Sequence, residues 1–256
     1  AEYLAGSESA FAEVMNFYAQ ELGMTNSNFV NATGLPDENH YSTARDVALL
    51  SQAIIRDFPD YYSWYSQKEF TFNGIRQHNR NNLLWRDPAV DGLKTGHTEA
   101  AGYCLASSAK DDGMRLISVV MGSASEQSRA SESQSLLSYG FRFFETVQLY
   151  RAGDRLTDVP VWKGETDVVD LGVAEDLFVT IPRGRYNDLN AELLLQETIM
   201  APVSAGQELG RVSISLDEEI VADLSLQAQA DVVEAGFFGR TWDSLKLWGG
   251  GLFGDD

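Results

Sequence analysis

The chain has 256 residues, of which 44% are hydrophobic and 22% are charged, so it is long enough for one large or two modest folded domains and is not disordered. Its formal net charge of −19 argues against nucleic acid as a partner, because phosphate binding requires clustered cations. The single cysteine, Cys104, excludes an internal disulfide, and no apolar run approaches the roughly 20 residues that span a bilayer.

The first part of the chain predicts two helices. Ser7 or Ser9 can cap the first, which ends at Gly23. A loop-rich stretch follows, and Thr43 with Asp46 forms a capping-box-like pair at the start of the second helix. The apolar residues expected on the buried faces recur at helical spacing. They are Phe11, Val14, Met15, Tyr18 and Leu22 in the first helix and Val47, Leu50 and Ile54 in the second.

The centre of the chain predicts antiparallel strands followed by a helix. Residues 70–75 alternate and turn like a strand that leads into a hairpin or a loop. Residues 102–109 and 114–122 are apolar strands joined by the turn residues 110–113, so they form a second hairpin just after the segment 91–97. The stretch from Ser128 to Thr146 predicts a helix with one apolar face, formed by Leu136, Leu137, Phe141 and Phe144.

The second half of the chain has a different pattern. From Tyr150 to Val233, short alternating runs are separated by turn residues every 8 to 15 positions, which is typical of a small all-β module. The composition changes near Val147, where we expect a domain boundary.

The last segment, residues 234–256, predicts an amphipathic helix with aromatic and aliphatic residues on one face, which is typical of a helix lying at a membrane interface. The alternative is a helix that packs on the β module. Two features weaken the membrane interpretation, because three successive glycines interrupt the helix and anionic lipid would repel Asp255 and Asp256.

The segment from Asp91 to His97 carries the clearest chemistry. Lys94 is a fixed cation, Thr95 offers a hydroxyl, and Gly96 lets another backbone approach closely. The main-chain N–H of His97 can face a bound carbonyl. A Lys-Thr-Gly triplet alone is a weak signal, but it is the third element of the penicillin-binding protein signature, after a Ser-x-x-Lys and a Ser-Asp-Asn-like motif.

The sequence on either side of the triplet makes the resemblance specific. The matching segments are Lys68–Gln77, Asn79–Asn81, Val90–His97, Gly140–Thr146 and Ile181–Arg185. With these segments the chain resembles the low-molecular-mass D-alanyl-D-alanine carboxypeptidases, the penicillin-binding proteins that trim peptidoglycan stem peptides. The resemblance covers nearly the whole chain.

This resemblance implies an α+β fold with three parts. Residues 1–147 would be a partial catalytic domain of the transpeptidase type, an antiparallel sheet with helices. Residues 148–233 would be a β-rich domain, and residues 234–256 a membrane-anchor helix. It also implies a periplasmic location on the outer face of the inner membrane of a bacterium.

The resemblance further implies a serine peptidase that removes the terminal D-Ala through an acyl-enzyme. Lys94 and Thr95 would bind the free carboxylate of the stem peptide, and Arg129 would be a second cation facing it. Gly96 would leave room for the substrate backbone, and the His97 N–H would help to form the oxyanion hole. Arg80 would support the site structurally. In the full-length enzyme, β-lactams would bind the same site.

The nucleophile and base are missing from this picture. Members of the family place Ser-x-x-Lys and Ser-x-Asn ahead of Lys-Thr-Gly, and neither motif precedes Lys94 here. The only Ser-x-x-Lys by spelling, Ser107 to Lys110, runs along a strand into a turn and is a poor candidate. We therefore expect a truncated chain that lacks acyl transfer on its own and that exposes apolar surface.

Two other hypotheses stay open at this stage. The chain could be a non-catalytic accessory module of the same fold that binds the cell wall, or the full-length protein could be an endopeptidase of the same superfamily. A zinc peptidase is disfavoured because His40, His78 and His97 are scattered and no His-x-x-x-His or Cys-x-x-Cys occurs. The sequence also shows no nucleotide-binding fingerprint, so we expect neither a metal nor another cofactor.

Overall fold

The computed structural model of the chain describes residues 1–236. The chain divides into two compact units, Ala1–Phe143 and Phe144–Asp256. The first unit mixes helices with an antiparallel sheet, and the described part of the second is built of strands with one short 3-10 turn. The predicted α+β fold with a second, all-β part is therefore confirmed.

The first unit contains six helices, one 3-10 turn and five strands within the described residues. In chain order the helical elements are α1 Glu2–Ala5, α2 Glu8–Glu21, α3 Ala44–Asp57, α4 Pro59–Tyr62, the 3-10 turn Ser63–Ser66, α5 Leu83–Arg86 and α6 Glu126–Phe143. The strands are β1 Glu69–Phe72, β2 Ile75–His78, β3 Val90–Thr98, β4 Gly102–Asp111 and β5 Met114–Ser123.

Helix α2 begins as predicted but buries a different face. The Ser7 side chain accepts a hydrogen bond from the Ala10 N–H and so satisfies one of the free donors of the first turn. The residues that become buried are Ala12 and Ala19, not the large apolar side chains. Val14 and Tyr18 are exposed, which shows that the predicted apolar stripe was wrong at these two positions.

Helix α3 is capped by Thr43, whose hydroxyl accepts from the Asp46 N–H. The reciprocal half of a capping box is absent, because the Asp46 carboxylate bonds elsewhere. Its Oδ2 accepts from the Asn26 N–H at 2.8 Å and from the Ser27 hydroxyl at 2.6 Å. The bond from Ser27 holds the pKa of Asp46 below its ordinary value. Asp46 therefore ties the preceding loop to this helix.

Strands β3, β4 and β5 form an antiparallel sheet in that order, so β3 and β5 are its edges. Asp112 and Gly113 join β4 to β5 with φ of 44° and 82°, values that suit the two central residues of a hairpin turn. Both faces of the sheet are packed. One apolar cluster joins β4 to α5 and α6, and a second joins it to α3 and α4. The first contains Leu83, Leu84, Val90, Leu105, Ala109, Ala130 and Leu137; the second contains Tyr62, Leu93 and Ala106, with Val47 and Ile54 packed against it.

Helix α6 ends earlier than the sequence predicted. It stops at Phe143, and Phe144 begins a strand, so Phe144 cannot share the helical face proposed for it. Leu137 is buried as expected, whereas Leu136 is half exposed. The hairpin of residues 70–75 is confirmed as β1 and β2.

The second unit buries one continuous core. Its strands are β6 Phe144–Tyr150, β7 Arg155–Trp162, β8 Val168–Gly172, β9 Leu177–Pro182, β10 Asn190–Leu195, β11 Ile199–Met200, β12 Glu208–Leu216 and β13 Glu219–Ala228, and a 3-10 turn spans Tyr186–Asp188. Six strands form a sheet in the order β10-β12-β13-β8-β7-β11, and β6 pairs with β9. Alternate residues of β9 and β12, such as Val179, Ile181, Val212 and Ile214, point into the core, as the alternating sequence requires.

Glu234 lies in an isolated β-bridge with Gly164. Residues 234–236 are not helical, so the predicted anchor helix does not begin at Glu234, and its remaining residues, 237–256, lie outside the described residues. None of the helices within residues 1–236 is long and apolar enough to cross a membrane.

Candidate active site

The Lys-Thr-Gly segment lies in β3, at one edge of the sheet. An edge strand carries main-chain groups without a neighbouring strand, so it can pair with the backbone of another peptide. The register of β3 with β4 places Lys94 opposite Ala106 and Gly96 opposite Cys104 on the face that packs on α3. Thr95 and His97 therefore belong to the other face, because side chains alternate along a strand.

The start of β3 is fixed by two buried side chains that hold one carbonyl. The Gly92 carbonyl accepts from the Asn81 amide at 2.8 Å and from the Ser107 hydroxyl at 3.0 Å. Asn81 is 1% exposed, and its side-chain oxygen also accepts from the Leu83 N–H. Asn79 supports Asn81 in turn, because its Oδ1 accepts from the Asn81 N–H at 2.9 Å. The segment before the strand thus sets the position of the strand.

Gly92 also has a steric role. A Cβ atom added at this position would lie 2.5 Å from the hydroxyl oxygen of Tyr62, a distance that real Cβ atoms do not show. The Tyr62 hydroxyl donates to Asp91 Oδ1 at 2.7 Å. A side chain at residue 92 would therefore push Tyr62 away from its partner.

Arg115 completes this cluster from β5. Its guanidinium donates to both carboxylate oxygens of Asp91, at 2.8 Å each, and to the Ser108 hydroxyl at 2.7 Å. A bidentate contact between a guanidinium and a carboxylate is among the stronger ion pairs in proteins. The hydrogen bond to Asp91 raises the pKa of Arg115. Burial and the neighbouring carboxylate of Asp91 raise the pKa of Tyr62, so the phenol stays protonated and donates. The cluster links α4, β3, β4 and β5.

Arg129 is placed directly behind Gly96. Its side chain is 3% exposed, and its guanidinium donates to the Gly96 carbonyl at 3.2 Å and to the Arg80 carbonyl at 3.5 Å. The guanidinium also lies over the ring of Tyr103, 5.5 Å from the ring centre. Glu126, one turn earlier on α6, is 3.6 Å from it and is mostly exposed. A buried cation therefore supports the strand at the glycine where a ligand would approach.

His97 stacks on the same tyrosine. The two ring centres are 3.9 Å apart with an interplanar angle of 31°. Since His97 and Tyr103 are opposite each other in the β3–β4 register, the stack fixes the end of the strand. His97, Tyr103 and Arg129 thus form one layer on the α6 side of the sheet.

Lys94 lies on the opposite face from that layer. Its side chain is exposed, and its ammonium group donates to the Thr95 carbonyl. Lys94 and Arg129 consequently lie on opposite faces of the edge strand. Arg80 is exposed, and the bond that ties its segment to Arg129 comes from its carbonyl.

Two cavities border the Lys94 face of the sheet. The smaller, about 210 Å³, is lined by β3 from Lys94 to Gly96 together with Val47. The larger, about 590 Å³, lies between Thr98 and the loop of residues 34–42. Cys104 and Met121 line both cavities, so the two adjoin, and together they are called the groove beside the strand.

Ser107 is not placed to act as a nucleophile. It is fully buried, and its hydroxyl donates to the Gly92 carbonyl. Within residues 1–236 no group of three or more histidine, cysteine, aspartate or glutamate side chains is arranged to hold a metal ion.

Several contributors to the site were not found from the sequence. The buried role of Asn81 and the stacking role of half-buried Tyr103 come from packing and register, which a single sequence does not reveal. The segment Asn79–Asn81 is one of those that carry the resemblance, and its three polar residues just before the short helix α5 were the available signal. The link between Tyr62, Asp91 and Arg115 joins residues 24 and 29 positions apart, a separation at which no local pattern operates.

Comparison with known proteins gives matches to both units. A family model described as D-alanyl-D-alanine carboxypeptidase matches residues 1–125, and one described as Penicillin-binding protein 5, C-terminal domain, matches residues 144–234. D-alanyl-D-alanine carboxypeptidase DacA of Escherichia coli K12 is 47% identical over 249 residues, which are 96% of this chain and 62% of the relative. DacA of Haemophilus influenzae is 46% identical over 99% of this chain and 65% of its own length.

Solved structures give the same picture. Penicillin binding protein 5 from Haemophilus influenzae is 44% identical, with a TM-score of 0.82, over 91% of this chain and 69% of that one. Penicillin-Binding Protein D2 from Listeria monocytogenes, in an ampicillin-bound form, is 34% identical with a TM-score of 0.51, over 55% of this chain and 58% of that one. This chain thus spans less than two thirds of the length of these two curated relatives.

Proposed function

The chain belongs to the D-alanyl-D-alanine carboxypeptidase family, and we propose that it supplies the substrate-binding side of such an enzyme. The observation that carries this proposal is the edge strand β3, which is backed at Gly96 by the buried cation of Arg129. A free carboxylate distinguishes a carboxypeptidase substrate from an internal peptide bond, and a fixed cation beside an open edge is suited to recognise it.

In this proposal the peptide lies along β3 as an added antiparallel strand. Its terminal carboxylate receives a hydrogen bond from the Thr95 hydroxyl and lies in the positive potential of Lys94 and Arg129. Arg80 holds the neighbouring segment in place through its carbonyl. Gly96 presents no side chain, so the two backbones can approach closely. The groove beside the strand receives the rest of the stem peptide.

The proposed reaction is the removal of the terminal D-Ala through an acyl-enzyme. A serine hydroxyl attacks the carbonyl carbon of the penultimate D-Ala, and its proton passes to a base. The His97 N–H donates to the oxygen that becomes negative. The C–N bond then breaks, D-Ala leaves as a protonated amine, and water hydrolyses the ester. Neither the serine nor the base is provided by the motifs of this 256-residue chain.

The contact between the Lys94 ammonium and the Thr95 carbonyl has a place in this scheme. A ligand carboxylate or a nucleophilic serine on the α3 face would compete with that carbonyl for the ammonium. We propose that the Lys94 ammonium leaves the Thr95 carbonyl and binds the ligand when the site is occupied. Its role in this chain is then to supply a positive charge next to the ligand, not to accept a proton.

The family's action on cell-wall peptides implies a periplasmic site of action, and we carry this to the chain as part of the proposal. The membrane contact of residues 237–256 is likewise proposed from their amphipathic pattern. β-Lactams are proposed as ligands of the same edge in a complete enzyme, because the ampicillin-bound relative shares the fold of this unit.

A second candidate function is a non-catalytic module that binds the wall peptide. The open edge of β3 fits it, because an edge strand can pair with a peptide backbone without any acyl transfer. A fluorescent penicillin separates acyl transfer from binding. We expect no covalent labelling of the 256-residue chain, and labelling that survives denaturation would show that a nucleophile is present after all. Non-covalent retention of a D-Ala-D-Ala peptide supports the substrate-binding role, and its failure would remove both candidates.

A further inference from the structure

A third cavity, lined by none of the β3 residues, lies against the β1–β2 hairpin of the first unit. Its volume is about 610 Å³, within the roughly 300–1,000 Å³ of ordinary small-ligand sites. Its lining includes Trp64 and Gln67, which precede the hairpin, and Phe70 and Gln77, which are opposite each other in the β1–β2 register. Neither the carboxylate-binding proposal nor the anchoring of β3 uses any of these side chains.

The lining combines two kinds of group. Trp64 and Phe70 are large aromatic residues, and they are 62% and 61% exposed, respectively. Gln67 and Gln77 offer amide donors and acceptors. The Asn79 amide donates to two main-chain carbonyls, whereas neither glutamine side chain makes a hydrogen bond within residues 1–236. Aromatic rings this exposed leave apolar area in water, which a ligand could cover.

A charged pair borders the same cavity. Glu69 Oε1 accepts from Arg76 at 2.8 Å and lies 3.4 Å from His78 Nδ1. Because the Glu69 carboxylate is already paired, it does not attract a cation strongly. It retains free lone pairs, as carboxylate oxygens can accept several hydrogen bonds. The cavity is therefore a polar and aromatic site without a strong net charge.

From these groups we propose that this cavity binds a pyranose ring of an N-acetylated sugar. A pyranose has a face of C–H groups and a rim of hydroxyls. In this proposal an aromatic ring covers the C–H face, and the hydroxyl rim exchanges hydrogen bonds with the glutamine amides and the Glu69 carboxylate. The acetamido group adds one donor and one acceptor that suit the glutamine side chains.

The position of the cavity connects it to the peptide site. Asn79 lines the cavity and holds Asn81, and Asn81 holds the Gly92 carbonyl at the start of β3. A sugar here would lie against the same short segment that positions the peptide strand. This inference rests on the proposed function, because it assigns the sugar to the glycan polymer from which the peptide substrate extends.

The test is calorimetric titration of the 256-residue chain with tri-N-acetylchitotriose. We expect saturable binding, and Trp64→Ala should weaken it about tenfold, since the loss of one aromatic contact of about 1.4 kcal/mol corresponds to that factor. Gln77→Ala should weaken it about threefold, as expected for one partly hydrated hydrogen bond. Trp64→Phe should retain most of the affinity. Phe17→Ala, at an equally exposed aromatic on α2, is the matched control and should bind as the unaltered chain does.

The inference is overturned if the unaltered chain does not bind the trisaccharide, if Trp64→Ala binds it equally well, or if Phe17→Ala weakens it as much. It is also overturned if a peptide that carries no sugar binds in this cavity and not at the β3 edge. Because Trp64 is largely exposed, its replacement should leave the circular dichroism spectrum and the thermal midpoint unchanged. Binding of the trisaccharide without binding of a D-Ala-D-Ala peptide would support this inference and contradict the proposed function. Binding of the peptide without binding of the trisaccharide would support the proposed function and contradict this inference.

Discussion

The two units of the chain bury different kinds of residue. In the second unit, the described part of the core consists of valine, leucine, isoleucine and alanine, and the ion pairs lie at the surface. Every polar or charged residue that is buried within residues 1–236 belongs to the first unit; the set is Asp46, Ser51, Asn81, Ser107, Ser108, Ser118, Ser123, Arg129 and Ser133.

This difference separates a scaffold for stability from a scaffold for a site. Burying polar groups is costly unless each is hydrogen-bonded. In the first unit three of these nine residues hold β3, because Asn81 and Ser107 donate to the Gly92 carbonyl and Arg129 donates to the Gly96 carbonyl. We infer that the first unit gives up apolar burial to hold one edge strand in a defined position, whereas the second unit maximises burial.

The largest expected effect is a core truncation in the second unit. Leu171 is fully buried in β8, and Leu171→Ala should lower the free energy of unfolding by about 2–5 kcal/mol, because it removes apolar contacts and leaves a cavity. Denaturant unfolding measures this. Leu194→Ala, at a half-exposed position of β10, is the control and should cost less than about 1 kcal/mol. Equal losses for the two variants would show that the core of this unit is not as continuous as described.

Gly92→Ala should destabilise the first unit by about 3 kcal/mol, since the new methyl group must displace Tyr62 or shift the strand. Gly96→Ala is the matched change. Its Cβ would meet only Cys104, at 3.8 Å, which is an ordinary contact. Its stability should therefore stay close to that of the unaltered chain, while peptide binding should fall. If Gly96→Ala unfolds the chain as strongly as Gly92→Ala, the contrast between a structural and a ligand-facing glycine is wrong.

Asn81→Leu should cost about 2 kcal/mol, because the Gly92 carbonyl and the Leu83 N–H lose their buried partner. The neighbouring Asn82 is exposed and its side chain does not cap α5, so Asn82→Leu should change the unfolding free energy little. Thermal melting of both variants tests this, and a neutral Asn81→Leu would mean that Ser107 alone holds the carbonyl.

The smallest expected effect depends on pH. The folded state holds the pKa of Asp46 below its unfolded value, so the deprotonated form favours folding. This contribution is complete above the ordinary carboxyl pKa of about 3.9 and is lost as the pH falls through the lower folded pKa. Asp46→Asn should therefore be less stable than the unaltered chain at neutral pH, and the difference should shrink in acid. A gap for Asp46→Asn that widens in acid would contradict the sign.

The sequence predicted what depends on local pattern. The caps at Ser7 and Thr43, the hairpins, and the alternating strands of the second unit follow from side-chain chemistry and period, and the structure has them. The buried face of α2 was wrong because the helix packs through Ala12 and Ala19, and small residues carry little signal. The change from α6 to β6 at Phe144 was missed because an aromatic run suits a helix and a strand equally.

The site was only partly accessible to sequence reasoning. Lys94, Thr95, Gly96 and His97 were singled out by motif, but their arrangement depends on long-range partners. The burial of Arg129 behind Gly96 and the stack of His97 on Tyr103 arise from register and helix packing, which no spacing rule provides. The placement of Lys94 and Arg129 on opposite faces of β3 was likewise not anticipated. The roles of these residues toward a ligand stay predictions.

The central claim is that the β3 edge recognises a free terminal carboxylate, and one titration tests it directly. A short peptide ending in D-Ala-D-Ala and the same peptide with a C-terminal amide are titrated into the chain, with chemical shifts of the β3 amides as the readout. We predict that the acid perturbs residues 94–98 and binds at least about tenfold more tightly than the amide, because only the acid carries the charge that Lys94 and Arg129 favour. Equal binding of the two peptides, or shifts confined to other elements, would contradict the account.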